Sequence, residues 1–130
     1  MYVFPASRKY RWAGRVIGLS EPKEKLKAIH VVYATWCPHC VPTTVEPMKK
    51  LASDLGVPCE LYDIDTERMA RADELVKKYG DWSDDYIIPQ VFFEYAGGSF
   101  RHMLTGYSEG VAYTRRAVEN IVNEMRPRGA

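Results

Sequence analysis

Cys37 and Cys40, in the stretch Trp36-Cys37-Pro38-His39-Cys40, are the residues of this sequence best able to do chemistry. Side chains three positions apart share one side of a helical turn, so the two sulfurs can close a small disulfide ring and reopen it. The same thiols can also ligate a metal. A closed zinc site wants four ligands, and His39 is the only nearby third, so the metal alternative is a site or cluster bridging two copies of the chain. On the tetrapeptide alone, redox and metal chemistry weigh equally. The remaining cysteine, Cys59, falls in a strand-like run and reads as an inert buried thiol, its sharper alternative being a third redox thiol. Three cysteines do not make a structural disulfide framework.

The elements that must position the pair are legible around it. Residues 28–34, Ala-Ile-His-Val-Val-Tyr-Ala, form an apolar, β-branched run of the kind buried on both sheet faces. The cysteines follow at once. A helix is predicted from about Cys37 to Leu55, with Val41, Val45, Met48, Leu51 and Leu55 as its core stripe and Gly56 as its cap. Pro47 removes one backbone donor inside that helix and predicts a kink there.

Beyond it, Cys59–Ile64 reads as a strand. Thr66–Tyr79 reads as a helix with Thr66 as cap, Met69, Leu75 and Val76 inward, and Gly80 at its end. Val91–Tyr95 and Phe100–Leu104 read as a hairpin around Ala96-Gly97-Gly98-Ser99. Glu109–Met125 is a closing helix. Upstream, Val16–Leu19 reads as a short strand and Ser20 as a helix cap with Leu26 on the buried side. Residues 1–13 are an N-terminal arm or an extra strand, and 14–130 a single domain. Strands alternating with helices in this way predict an α/β fold: a central mixed sheet of four to five strands with helices on both faces.

A helix starting at Cys37 would bring its free N–H groups and positive dipole end to that sulfur and stabilise the thiolate. Cysteines so placed have pKa values of roughly 3.5–7.5, against about 8.5 unperturbed. Pro38 suits the first turn, which has no use for its N–H. A partial or full positive charge on His39 is expected to tune Cys37 further and to make the disulfide more oxidising.

At this point the sequence resembles the thioredoxin superfamily, over about Val16 to Arg126. The strand–Trp36-Cys37-Pro38-His39-Cys40–helix arrangement is the first element of the likeness. Ile88-Pro89, directly before a strand, is the second: in the family this proline is cis and sits against the cysteine pair, where the preceding backbone pairs with substrate. Gly106, before the last helix, is the third. The tetrapeptide is similar to that of DsbA-type oxidases, but the layout is compact and leaves no room for a helical insertion. Two departures stand out. Val31 occupies the place of the family's buried aspartate, so Cys40 must lose its proton to another group or to water. The loop Asp81-Trp82-Ser83-Asp84-Asp85-Tyr86-Ile87 is longer than the usual connection.

The resemblance implies a thiol–disulfide oxidoreductase with a thioredoxin-like fold, Cys37 as nucleophile and Cys40 as resolving thiol, and no cofactor. Its partners would be protein disulfides or dithiols and a recycling reductase or oxidase. The alternative is a non-enzymatic module of the same fold that binds a partner protein or a metal. Trp36 is expected to pack over the site and, second, to contact substrate. Trp82 and Tyr86 either form one wall of a substrate groove or cover the core edge. His30 is expected to be a satisfied core histidine, His102 a surface residue, and Asp63 and Asp65 capping or surface groups.

Composition closes off other classes. With 18 basic and 17 acidic residues, net charge +1, the chain has no field to draw it to nucleic acid or an anionic membrane. No run approaches the roughly 18 apolar residues of a membrane span. Val16-Ile17-Gly18-Leu19 is shorter than the roughly 7–15 residues of a signal-peptide core. A cytoplasmic monomer is therefore expected.

Overall fold

A computed structural model describes residues 25–126. The expected arm, the strand at Val16–Leu19 and the cap at Ser20 lie outside the described residues. The rest is an α/β arrangement of four strands and three helices. In chain order these are β1 (Leu26–Tyr33), a π-helical turn (Val41–Val45), α1 (Glu46–Leu55), β2 (Cys59–Asp63), α2 (Met69–Tyr79), β3 (Gln90–Tyr95), β4 (Phe100–Thr105) and α3 (Val111–Met125).

The sheet order is β2-β1-β3-β4. β1 runs parallel to β2, with Ile29 opposite Cys59 and Tyr33 opposite Asp63. It runs antiparallel to β3, with Val32 opposite Gln90, and β3 runs antiparallel to β4, with Gln90 opposite Thr105. The β3–β4 hairpin turns at Gly98, whose φ of 94° suits a residue without a Cβ.

Side chains alternate along a strand, so β1 serves two cores. Ile29 and Val31 join Val91, Phe93 and Leu104 beneath α1 (Met48, Leu51) and α3 (Val118, Ile121). Val32 joins Tyr62 and Phe92 beneath α2 (Ala72, Leu75, Val76). Phe92 and Phe93 point to opposite faces and both are fully buried. Burial of each is worth about 1.5–3 kcal/mol.

His30 is satisfied in the core as expected. Its Nδ1 lies 2.8 Å from the Tyr62 hydroxyl and its Nε2 2.9 Å from Glu94 Oε1. Desolvation pushes the Glu94 carboxyl up, but hydrogen bonding and charge from His30, with Lys27, more than offset this and hold it below the usual value. His102 departs from expectation. It is half-buried, stacked on Phe92 at 5.2 Å and 2.9 Å from Thr105 Oγ1. β4 borders the sheet and its ring folds back over the neighbouring strand.

Two helix readings need correction. Met69 is 49% exposed rather than inward, and Ala72 takes its place beside Leu75 and Val76. Helix α2 starts at Met69, not Thr66, so Met69 is its first residue, before the stretch whose Ala72, Leu75 and Val76 are buried. Thr66 instead organises the preceding turn: its hydroxyl donates to the Asp63 carbonyl and accepts from the Arg68 N–H. Among the described residues no helix is long and apolar enough to cross a membrane.

Gly80 closes α2, its N–H donating to the Val76 carbonyl at 2.9 Å. A Cβ there would collide with Gln90 Oε1 and come within 2.8 Å of the Phe92 ring. Both neighbours are fully buried and cannot swing aside. Gly80→Ala is expected to destabilise the protein by about 1–3 kcal/mol, read as a lower urea midpoint at unchanged slope.

Candidate active site

Pairing registers bring distant residues to one end of the sheet. Val32 is opposite Gln90, and Gln90 opposite Thr105. The segments following β1, preceding β3 and following β4 must therefore meet. They carry Cys37 and Cys40, Ile88-Pro89, and Gly106.

Cys37 and Cys40 form a buried cluster with Ala34, against which Tyr33, Ile64 and Ile88 pack. The Ile88–Pro89 bond is cis. Gly106 sits directly on it: its N–H donates to the Pro89 carbonyl at 2.8 Å. A Cβ on Gly106 would stand 2.7 Å from Pro89 Cδ and 2.8 Å from the Ile88 carbonyl oxygen. Only glycine permits that approach.

The segment after β1 differs from the predicted continuous helix. Cys37–Cys40 is a turn, with the Cys40 N–H on the Cys37 carbonyl at 3.0 Å and the Cys37 N–H on the Ala34 carbonyl at 3.3 Å. A π-helical turn follows. The Cys40 carbonyl accepts both the Thr44 and Val45 N–H groups, at 2.9 and 2.8 Å. Regular α-helix starts only at Glu46 and ends, as expected, at Gly56 with φ 73°.

The prolines explain this. Pro42 has no N–H to give the Pro38 carbonyl, and Pro47 crowds the carbonyl of Thr43 four residues back. The wider π turn accommodates Pro47 at the start of α1, where a missing N–H costs least, so the irregularity falls before Pro47. Two buried threonines supply hydrogen bonds to the carbonyls of the cysteine turn: Thr43 Oγ1 donates to Pro38 O at 3.1 Å and Thr44 Oγ1 to His39 O at 2.7 Å. Neither threonine stood out in the sequence. The signal that could have found them is Pro42 itself, whose missing donor calls for a nearby hydroxyl.

The two sulfurs are not equivalent. Both residues are buried, Cys40 fully and Cys37 with 6% exposure, so Cys37 is the nearer of the two to the surface. Burial, then a hydrogen bond with Cys37, drives the Cys40 thiol far above its ordinary range, while a backbone hydrogen bond at Ala34 pulls weakly the other way. Cys40 is thus held as a thiol. Val31, where the resemblance has a carboxylate, is fully buried in the α1 core. Tyr33 packs on the cysteine cluster, its hydroxyl pushed up by burial and then by Asp63, its partner across the strands.

The other expected site residues are distributed as follows. Trp36 is 67% exposed and does not seal the site; its Nε1 donates to Asp65 Oδ2 at 2.7 Å. It follows the end of β1, where no element among the described residues buries it. Pro38 is exposed and borders a groove of about 720 Å³ between the π turn and α3, also lined by Pro42, Pro47, Val118 and Val122. Neither cysteine lines that groove. His39 is half-buried, with Nδ1 2.8 Å from Thr114 Oγ1 on α3. Trp82 and Tyr86 pack against each other with tilted rings at 5.4 Å and are tied to α2, Trp82 beneath Lys77 and Tyr86 by donating to Asp73 at 2.7 Å. Tyr86 packs on the α2 core beside Ile88, so it braces the loop from outside the cysteine cluster. Asp63 caps the turn after β2 by accepting the Asp65 N–H.

Among the described residues, no three His, Cys, Asp or Glu side chains converge to hold a metal. No family model, curated protein or solved structure matches the chain.

Two outcomes test this arrangement. Thr44→Val, which keeps the shape but leaves the His39 carbonyl without its hydroxyl, is expected to cost about 1–3 kcal/mol in urea denaturation; an unchanged midpoint contradicts the role. Cys59 is half-buried, and burial chiefly, against a weaker pull from Lys49, moves its thiol up to about 11. Its thiolate is therefore scarce below that pH. In a Cys37→Ser/Cys40→Ser background, alkylation of Cys59 by iodoacetamide at about pH 8 is expected to be at least about 10-fold slower than that of a free thiol, accelerating as pH rises toward 11.

Proposed function

We propose that this chain is a protein thiol–disulfide oxidoreductase with a thioredoxin-like fold. One observation carries the reading. Two cysteines three apart are buried together at the end of the central strand against Ile88, with Cys37 nearer the surface and Cys40 held as a thiol inside. Exchange chemistry needs this asymmetry: an outer attacking group and an inner resolving one. The fold is supported by the mixed sheet order, by α1 and α3 on one face with α2 on the other, and by Gly106 against Pro89.

In the reducing direction, Cys37 as thiolate attacks one sulfur of a substrate disulfide. That S–S bond breaks, a mixed disulfide forms on Cys37, and the first substrate thiolate leaves. Cys40 then loses its proton and attacks Cys37 Sγ. The Cys37–Cys40 disulfide forms, the second substrate thiolate leaves, and two electrons have passed to substrate. Oxidation is the same path reversed. In this reading the exposed Trp36, next to Cys37, and the backbone at Ile88, which packs on the cysteine cluster, contact an extended substrate segment.

Catalysis of insulin reduction by dithiothreitol and of reduced RNase refolding tests the proposal. Wild type is expected to accelerate one or both, and Cys37→Ser to fall to the uncatalysed rate; identical behaviour of the two proteins contradicts it. The pH dependence of the second step is a separate check. Burial, the larger cause of the raised Cys40 value, persists in the mixed disulfide. A raised value means protonated thiol at neutral pH, so resolution is expected to speed up continuously from about pH 6 to about pH 9. A plateau reached below about pH 7 contradicts the assignment of Cys40.

A further inference from the structure

Thr114 is fully buried in the first turn of α3 and its hydroxyl joins two segments of the site. It accepts the Tyr107 backbone N–H at 2.9 Å and lies 2.8 Å from His39 Nδ1. Tyr107 follows Gly106, which is bonded to Pro89. A single hydroxyl thus links the turn between the cysteines to the Pro89 edge through residues 75 positions apart.

The hydroxyl has one proton and two lone pairs. Tyr107 occupies one lone pair. If His39 Nδ1 carries no proton, the Thr114 O–H donates to it and both groups are satisfied. If Nδ1 is protonated, it takes the second lone pair, and the hydroxyl proton has to find a further acceptor inside a fully buried site. Leaving it without one is penalised. The pattern favours a bare Nδ1 and a proton on Nε2.

We propose that Thr114 is a positioning residue: it holds the His39 imidazole in the Nε2–H tautomer with the ring turned to α3, and so sets how His39 acts on the Cys37–Cys40 pair. The second half of the proposal rests on the oxidoreductase reading; the first does not.

The test compares wild type, Thr114→Val and Thr114→Ser. Long-range proton–nitrogen NMR on the imidazole is expected to show the Nε2–H tautomer dominant in wild type and Thr114→Ser. Thr114→Val, which cannot donate, is expected to relax the ring only to the free imidazole's own, weaker preference for Nε2–H, with a measurably larger Nδ1–H fraction than wild type. An Nδ1–H tautomer or an even mixture in wild type overturns the assignment. The equilibrium of the cysteine pair with glutathione is then measured in a double-mutant cycle with His39→Ala. Thr114→Val is expected to shift that equilibrium about 3- to 10-fold, the worth of one hydrogen bond, in the direction of His39→Ala. It is expected to add nothing once His39 is gone, and Thr114→Ser is expected to restore most of the shift. A shift that persists without His39 shows that Thr114 acts through packing alone and overturns the proposal. If the wild type does not equilibrate with glutathione at all, the oxidoreductase reading fails with the second half, while the tautomer still decides the first.

Discussion

Strand β1 is hydrogen-bonded along both edges, and the position of the site follows from that constraint. A strand held by β2 on one side and β3 on the other has no freedom of register. Its end is therefore fixed beside the end of β2 and the start of β3, and through β3 beside the end of β4. The dithiol turn, Ile88-Pro89, Gly106 and the Asp63–Asp65 turn meet because their strands pair, not because they attract one another. A slip of one residue in β1 would put Ile29 and Val31 under α2, His30 under α1, and the cysteine turn out of reach of Ile88.

Within that frame the chemistry depends on unequal burial. Cys37 and Cys40 share one apolar cluster, yet Cys37 lies nearer the surface. Low polarity around Cys40 disfavours its charged form and keeps it a thiol. The turn that produces this is unusually rich in proline. Pro38, Pro42 and Pro47 withdraw backbone donors within ten residues, and Thr43 and Thr44 provide hydroxyls to the carbonyls of the same turn. The π turn and the threonines are one solution to one problem, a helix start that has lost its regular donors.

Much of this was legible in the sequence because it is encoded locally. The β-branched run of β1, the glycines that end α1 and turn the hairpin, and the cysteine spacing each carry their own physical signature. Gly106 was found by its place in a resemblance; its physical reason, contact with Pro89, depends on β3 and β4 pairing. The illegible parts depend on tertiary geometry. Met69 keeps the helical period of Ala72 and Leu75, but period does not say where along a helix burial begins. Trp36 reads as a packing residue by type, yet among the described residues no element covers it at the end of β1. The contact of His39 with Thr114 joins residues far apart in sequence and leaves no local trace. The π turn needed two prolines to be read together, as a missing donor at Pro42 and a crowding ring at Pro47.

The asymmetry of the two cysteines is open to direct chemical inspection. A Cys40→Ala variant, offered a disulfide substrate, is expected to stop at a mixed disulfide, and peptide mapping by mass spectrometry is expected to place the adduct on Cys37. An adduct on Cys59 instead, or no adduct while small-molecule disulfides are consumed by the wild type, would contradict Cys37 as the attacking sulfur.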